Sequence, residues 1–211
     1  MSNVLRKNVL LGAGGHASVL LEIVQQNNEA VDYIVAPHVP NDRAIFNGID
    51  VISDREFILT TDPQDVILIN GIGMLPHSPL RERIYTEYTA RGYQFKRIVS
   101  RLAIVSPSAI LEDGVQILPG AIIQASSRIG ENSIINTRSI IEHDCTIGMH
   151  NHIASGVIFC GGVRTGTGTF IGAGAVVIQN IHIGHQTIVG AGALVTHDIA
   201  SQHIIRPDND H

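Results

Sequence analysis

The chain has 211 residues, 44% hydrophobic and 16% charged, enough for one large domain or two modest ones with real cores, and this balance excludes disorder. Aromatics make up 4%, Trp is absent and there are 21 glycines, so the core must be built from Ile, Val, Leu and Ala rather than rings. A net charge of −5, with Lys7 and Lys96 as the only lysines, excludes nucleic acid as the main partner, because phosphate binding requires concentrated Lys and Arg.

No apolar run approaches the ~18 to 20 residues that span a bilayer, and Met1-Ser2-Asn3 lacks the charged-then-apolar opening of a signal peptide, so a cytoplasmic protein is expected. Cys145 and Cys160 fit no zinc spacing and are too few for a disulfide scaffold; buried free thiols are expected. All four Tyr precede residue 100, whereas 14 of the 21 glycines lie between 103 and 198. Two domains follow, 1–100 and 101–211, joined near Ser100 to Ala103.

In chain order, Asn8 to Leu11 reads as a short apolar strand, Gly12-Ala13-Gly14-Gly15 as a turn, and Ala17 to Val24 as a helix with Val19, Leu20, Ile23 and Val24 at helical spacing. Tyr33 to Val35 and Asp65 to Ile69 read as further strands, Pro79 to Arg91 as a helix, and Gln94 to Val99 as a last strand. Alternation of this kind predicts a small parallel sheet flanked by helices. Gly12-x-Gly14-x-x-Ala17, after a strand and opening a helix, has the form of a Rossmann-like dinucleotide turn, whose glycines let backbone approach a pyrophosphate. NAD is disfavoured, because Ile34-Val35-Ala36-Pro37 offers no acid for a ribose hydroxyl and ~100 residues make only one nucleotide-binding half. A single nucleoside diphosphate fits better.

From Ala103 the chain divides into sixteen consecutive hexads, ending at Asp198 with no insertion. The third position is aliphatic in fourteen of the sixteen, the exceptions being Phe159 and Thr165; the first is almost always small, with Asn151 and Ile181 the clear departures. A period of six cannot be an α-helix, which would carry the apolar residue around the cylinder. It suits a flat strand followed by a corner. Three strands per coil make a triangular prism, a parallel β-helix whose interior takes Ile and Val and seldom a ring.

Polar residues that break so regular a pattern are the informative ones. Asn136, Glu142, His143, Asp144, His150, Asn151 and His152 fall on adjacent turns. His143 occupies a corner position where the neighbouring coils carry Ala125 and Gly161, and is expected to be exposed rather than stacked. A corner histidine beside an acid has the form of a general base, with Asp144 or Glu142 as the acid that strengthens it. His182, His185, His197 and His203 read as solvated corner residues.

The segment Ile141-Glu-His-Asp-Cys-Thr-Ile-Gly148 within a hexapeptide array, preceded by Gly12-Ala-Gly-Gly-His16 after the first strand, resembles the sugar O-acyltransferases of the sialic acid O-acetyltransferase type. Within that family it is most similar to the nucleotide-sugar N-acetyltransferases that modify a UDP-linked 4-amino-4,6-dideoxy sugar in bacillosamine-type pathways. The resemblance implies a left-handed β-helix, a homotrimer with each site between two prisms, and a role in bacterial surface glycan or protein glycosylation. It also implies acetyl-CoA as co-substrate, with no metal. His143 matches the catalytic base, Asp144 the acid beside it and Asn136 a polar position that fixes the amine or His143. His152 matches a residue near the thioester, and Ala173 and Ala191 match backbone contacts to the pantetheine arm. Gly14, Gly15, His16 and Gly73 match the UDP-sugar turn. No acyl-enzyme is implied, so neither cysteine is a nucleophile. The chain departs from the family at Ala36-Pro37, where acids are common, and at its end, where Arg206 could still reach a CoA phosphate but Asp208 and Asp210 would not help. Sugar O-acetylation, a zinc site on His143, His150 and His152, and a non-catalytic prism are the alternative readings.

Overall fold

The computed structural model describes residues 6–40 and 42–207. Met1 to Asn3, Asp208 and Asp210, discussed above, lie outside the described residues. The chain divides into two compact units, Met1–Ile98 and Val99–His211.

The first unit runs β1 (Lys7–Leu11), α1 (Gly15–Gln26), β2 (Tyr33–Val35), β3 (Asp50–Ile52), α2 (Asp54–Thr60), β4 (Val66–Asn70) and α3 (Leu80–Ala90). Its strands form one parallel sheet in the order β3-β2-β1-β4. β1 is central, which is why Val9, Leu10 and Leu11 are all buried instead of alternating. α1 buries Ala17, Leu20, Leu21, Ile23 and Val24. Tyr85, Tyr88, Tyr93, Phe57 and Phe95 make a second cluster, with ring centroids 4.6 Å apart for Tyr85 and Phe95 and 5.2 Å for Phe57 and Tyr93. Only Phe159 and Phe170 of the chain's Phe and Tyr residues lie in the second unit.

β3 and α2 were not legible from apolar periodicity. β3 is a three-residue edge strand with Val51 exposed, so it carries no alternating pattern. α2 does carry a start signal, because the Ser53 hydroxyl accepts from Glu56 N–H at 3.2 Å, the Ser-x-x-Glu cap. The strand expected over Gln94 to Val99 is instead a single parallel bridge, Leu68 to Phe95, followed by Ile98–Val99 as the end strand of a seven-stranded sheet.

In the second unit each of the sixteen hexads contributes one two-residue strand at its second and third positions, from Ile104–Val105 to Leu194–Val195. Strands pair in parallel with the strand eighteen residues on, as Ile122, Ile140 and Ile158 do, until the last coil, where Ile188 pairs with Ile204 and Ile183 bridges Ile199; the result is the left-handed β-helix of three stacked sheets. Third-position side chains point inward and stack, Ile123, Ile141, Phe159 and Val177 among them, all at most 1% exposed. Second-position side chains point outward and distinguish the faces. Ile122, Ile140, Ile158 and Val176 mark an aliphatic face; Arg128, Thr146 and Arg164 an arginine face; Ile134, His152 and Phe170 a mixed face. The chain runs from arginine to mixed to aliphatic face and round again.

Two regularities sharpen the hexad rule. The sixth position has positive φ in fourteen of the sixteen hexads, supplied by Gly in seven and by Ser126, Asn132, Arg138, Asp144, His150, Asn180 and Gln186 in the rest. First-position hydroxyls donate to a carbonyl fifteen residues on: Ser127 to Glu142 at 2.7 Å, Ser133 to Gly148 at 2.9 Å and Ser139 to Ala154 at 2.8 Å. Where the first residue is Ser, it serves the fold through this bond as well as through its small size. The departures Asn151 and Thr165 partner each other, Asn151 Nδ2 donating to Thr165 Oγ1 at 2.6 Å inside the prism. Pairing is what makes two buried polar groups tolerable there.

Candidate active site

His143 and Asp144 close a hexad of the aliphatic face at the corner leading to the arginine face. Asp144 takes the positive-φ position, φ 62°, which carries its carboxylate back beside the preceding residue. His143 Nδ1 lies 2.7 Å from Asp144 Oδ2, with both side chains about two-thirds exposed. An ionised carboxylate only accepts, so Nδ1 carries the proton and the lone pair is left to Nε2. The carboxylate against the ring is thus that of Asp144, while the Glu142 main-chain carbonyl accepts from the Ser127 hydroxyl. His143 is exposed as expected, yet its ring also rests on the next coil. A Cβ placed on Gly161 would stand 2.6 Å from Cε1 and 2.7 Å from Nε2.

The other sequence-predicted residues of this unit gather elsewhere. Asn136 lies at the corner between mixed and aliphatic faces, and His152 on the mixed face beside it. Asn136 Oδ1 accepts from Thr137 N–H at 2.7 Å, which turns its Nδ2 toward His152 Nε2 at 3.1 Å. His152 Nε2 is thereby an acceptor and its proton sits on Nδ1. The ring meets Phe170 edge-on, centroids 5.1 Å apart. Asn136 thus orients His152 rather than His143. Ala173 and Ala191 stack one coil apart at the same corner as Asn136, both exposed, with Gly192 N–H donating to the Ala173 carbonyl at 2.8 Å. The predicted base and the predicted cofactor residues therefore occupy the two opposite edges of the aliphatic face.

Cys145 is buried and its thiol donates to the Cys160 carbonyl at 3.3 Å, the same fifteen-residue reach as the serines. Burial pushes that thiol up to about 11. A thiol so placed is a structural donor and a poor nucleophile. Among the described residues no group of three or more His, Cys, Asp and Glu converges in a way that could hold a metal.

In the first unit, Gly14 caps α1 with no side-chain hydrogen bond and no acid stands in the first turn, a helix start suited to an anion. Gly12 has φ 90°. Gly71 lies so close to this turn that a Cβ would be 2.5 Å from the Leu11 carbonyl oxygen, and one on Gly73 would be 3.5 Å from His16 Cβ. Gly14, Gly15, His16 and Gly73 are thus brought together. Arg43 joins them, unforeseen from the sequence. Its Nη1 donates to the Ser18 hydroxyl at 3.2 Å, and its guanidinium lies beside Gly15 at the start of α1. No local pattern marks it, because it arrives from the irregular connection between β2 and β3.

Residues 126–161 match the family model for bacterial transferase hexapeptide (six repeats). Perosamine N-acetyltransferase from Caulobacter crescentus, solved as a histidine-to-asparagine variant with CoA and GDP-perosamine, is 32% identical over 95% of this chain and 93% of that one, with a TM-score of 0.84. The chain belongs to the hexapeptide-repeat sugar N-acetyltransferases. It is an acyltransferase. The acetyltransferase domain of PglB from Neisseria gonorrhoeae, solved with acetyl coenzyme A, is 28% identical over 92% of this chain and 93% of its own, TM-score 0.83. WeeI from Acinetobacter baumannii, at 17% identity and TM-score 0.66, shares the fold. As an N-acetyltransferase the chain needs a base for an amine and a cradle for a thioester, and the two edges of the aliphatic face carry the candidates for each.

Proposed function

We propose that the chain transfers the acetyl group of acetyl-CoA to the 4-amino group of a nucleoside-diphosphate-linked 4-amino-4,6-dideoxy sugar, for bacterial surface glycan or protein glycosylation. The observation that carries this reading is the largely exposed His143 imidazole, held through Nδ1 by Asp144 so that Nε2 keeps the lone pair. The sugar nitrogen attacks the thioester carbonyl carbon, and its proton passes to His143 Nε2. As the tetrahedral species collapses the C–S bond breaks, and the departing sulfur takes that proton, leaving an amide and CoA thiol. Asp144 stabilises the imidazolium in between. The nucleotide sugar is assigned to the first unit, through Gly14, Gly15, His16 and Gly73, with Arg43 facing the diphosphate. Acetyl-CoA is assigned to His152, Ala173 and Ala191, where small exposed residues let the pantetheine arm lie against backbone.

Sequence resemblance supports UDP as the nucleotide. GDP is the second reading, because the relative 32% identical to this chain was solved with GDP-perosamine. We further propose a homotrimer. The base and the thioester cradle sit on opposite edges of one face, so a head-to-tail ring brings the base of one copy to the cradle of the next. The outward ladder between them is aliphatic throughout, with Ile104 65% and Leu194 62% exposed, which suits a covered face. Dependence on acetyl-CoA supports a cytoplasmic enzyme. His143→Ala is expected to lower the single-turnover rate by about 10²- to 10⁴-fold with little change in the KM of either substrate. Retention of the full rate would overturn the mechanism.

A further inference from the structure

Among the described residues, Arg81 is the only Arg, Lys, Asp or Glu that is buried, at 2% exposed. Its position is doubly unfavourable. It lies in the first turn of α3, where the helix dipole opposes a cation, and burial pushes its guanidinium down to about 9. The side chain turns back from α3 to the loop that follows β4. Nη1 donates to the Asn70 carbonyl at 3.0 Å and to the Ile72 carbonyl at 2.6 Å. Asn70, itself 1% exposed, completes the clamp: its Nδ2 donates to the Arg81 carbonyl at 3.4 Å and its Oδ1 accepts from Ile72 N–H at 3.2 Å. The residues so fixed are those pressed on the glycine turn of β1 and α1. Gly71 admits no side chain against Leu11, Ile72 Cδ1 lies where a Gly12 Cβ would come within 2.7 Å, and Gly73 rests over His16. A long cation with several donors can hold the Asn70 and Ile72 carbonyls, two residues apart, from beneath the loop.

We propose that Arg81 is a positioning residue for the nucleotide-sugar site. It holds Asn70 to Gly73 against the Gly12–His16 turn, so that binding of the nucleotide sugar depends on a residue buried beneath the loop. This rests on the assignment of the nucleotide sugar to that turn. The chemistry at His143 does not involve it, so its effect falls on one substrate and one kinetic constant.

The test is steady-state kinetics of Arg81→Met and Arg81→Lys with a UDP- or GDP-linked 4-amino sugar, alongside circular dichroism and thermal unfolding of each variant. Arg81→Met is expected to raise the nucleotide-sugar KM at least 10-fold, with kcat and the acetyl-CoA KM within twofold of the parent. Arg81→Lys, which keeps a cation able to donate to both carbonyls, is expected within about threefold throughout. A folded Arg81→Met with unchanged nucleotide-sugar KM overturns the proposal, as does an equal loss towards both substrates. If Arg81→Met fails to fold, a tenfold loss for both substrates in Arg81→Lys does the same. Failure of the underlying assignment reads differently: the parent enzyme itself would then accept the free amino sugar with the same KM as the nucleotide-linked one.

Discussion

An imidazole acts as a base at one nitrogen only when the other is occupied, and in this chain the occupation is settled by a backbone angle. Asp144 reaches His143 Nδ1 because it sits at φ 62°, in a left-handed conformation that Asn tolerates and most residues do not. Asp144→Asn therefore isolates the charge from the turn. It is expected to leave the thermal midpoint within a degree or two and to lower kcat by about 10- to 100-fold, measured at saturating substrates. Asp144→Ala confounds the two effects, since Ala in that conformation costs about 1 kcal/mol. Cys145 shows the opposite case, a reactive residue type with a structural task. Cys145→Ser keeps the donor to the Cys160 carbonyl and is expected to retain full activity. The parent thiol stays protonated in the fold up to about 11, above its ordinary value of 9.0, so the unfolded chain releases that proton first. Stability from this source is complete below pH 9 and is lost as pH rises towards 11. Thermal unfolding across that range should fall more steeply for the parent than for Cys145→Ser.

The elements of the prism depend on close approach, and the pair Gly172 and Gly174 separates its two causes. Gly174 has φ 69° and open space around a Cβ; Gly172 has no such angle, but a Cβ there would stand 2.4 Å from Ala191 N in the next coil. Gly174→Ala is expected to cost about 1 to 2 kcal/mol in chemical unfolding. Gly172→Ala should cost more, because backbone on backbone cannot yield without parting the coils. Much at this scale was legible in the sequence. A six-residue period admits few structures, and it located the sixteen strands of 103–198 without side-chain contacts, though not Ile204–Ile205, which closes one sheet beyond the last hexad. What stayed hidden has physical causes. β3 is too short and exposed to alternate, and the partnership of Asn151 with Thr165 joins residues that look like two unrelated lapses in the pattern. The contact of His143 with Asp144 was legible because the two are adjacent in sequence. Asn136 with His152, and Arg43 beside Gly15, are meetings across a coil or a loop, which spacing alone does not report.

At the scale of the whole molecule, the aliphatic face separates His143 from Ala173 and Ala191, so under the proposed roles one prism carries both halves of the site without joining them. A shared site makes a complementation experiment decisive. His143→Ala and Ala173→Trp should each be inactive alone, and co-expressed as mixed rings they should recover up to about a quarter of parental activity, since one site in four then draws both intact edges. No recovery would place the two edges' functions within a single copy. The central claim, that this fold acetylates a nucleotide-linked amino sugar, is tested most directly by mass spectrometry of the products formed from acetyl-CoA and a panel of UDP- and GDP-linked 4-amino sugars. The expected result is a single added acetyl group on a nucleotide sugar, stable to mild alkali as an amide, with one CoA thiol released for each. A panel left unmodified, or a product whose acetyl group is lost in mild alkali as an ester, would contradict it.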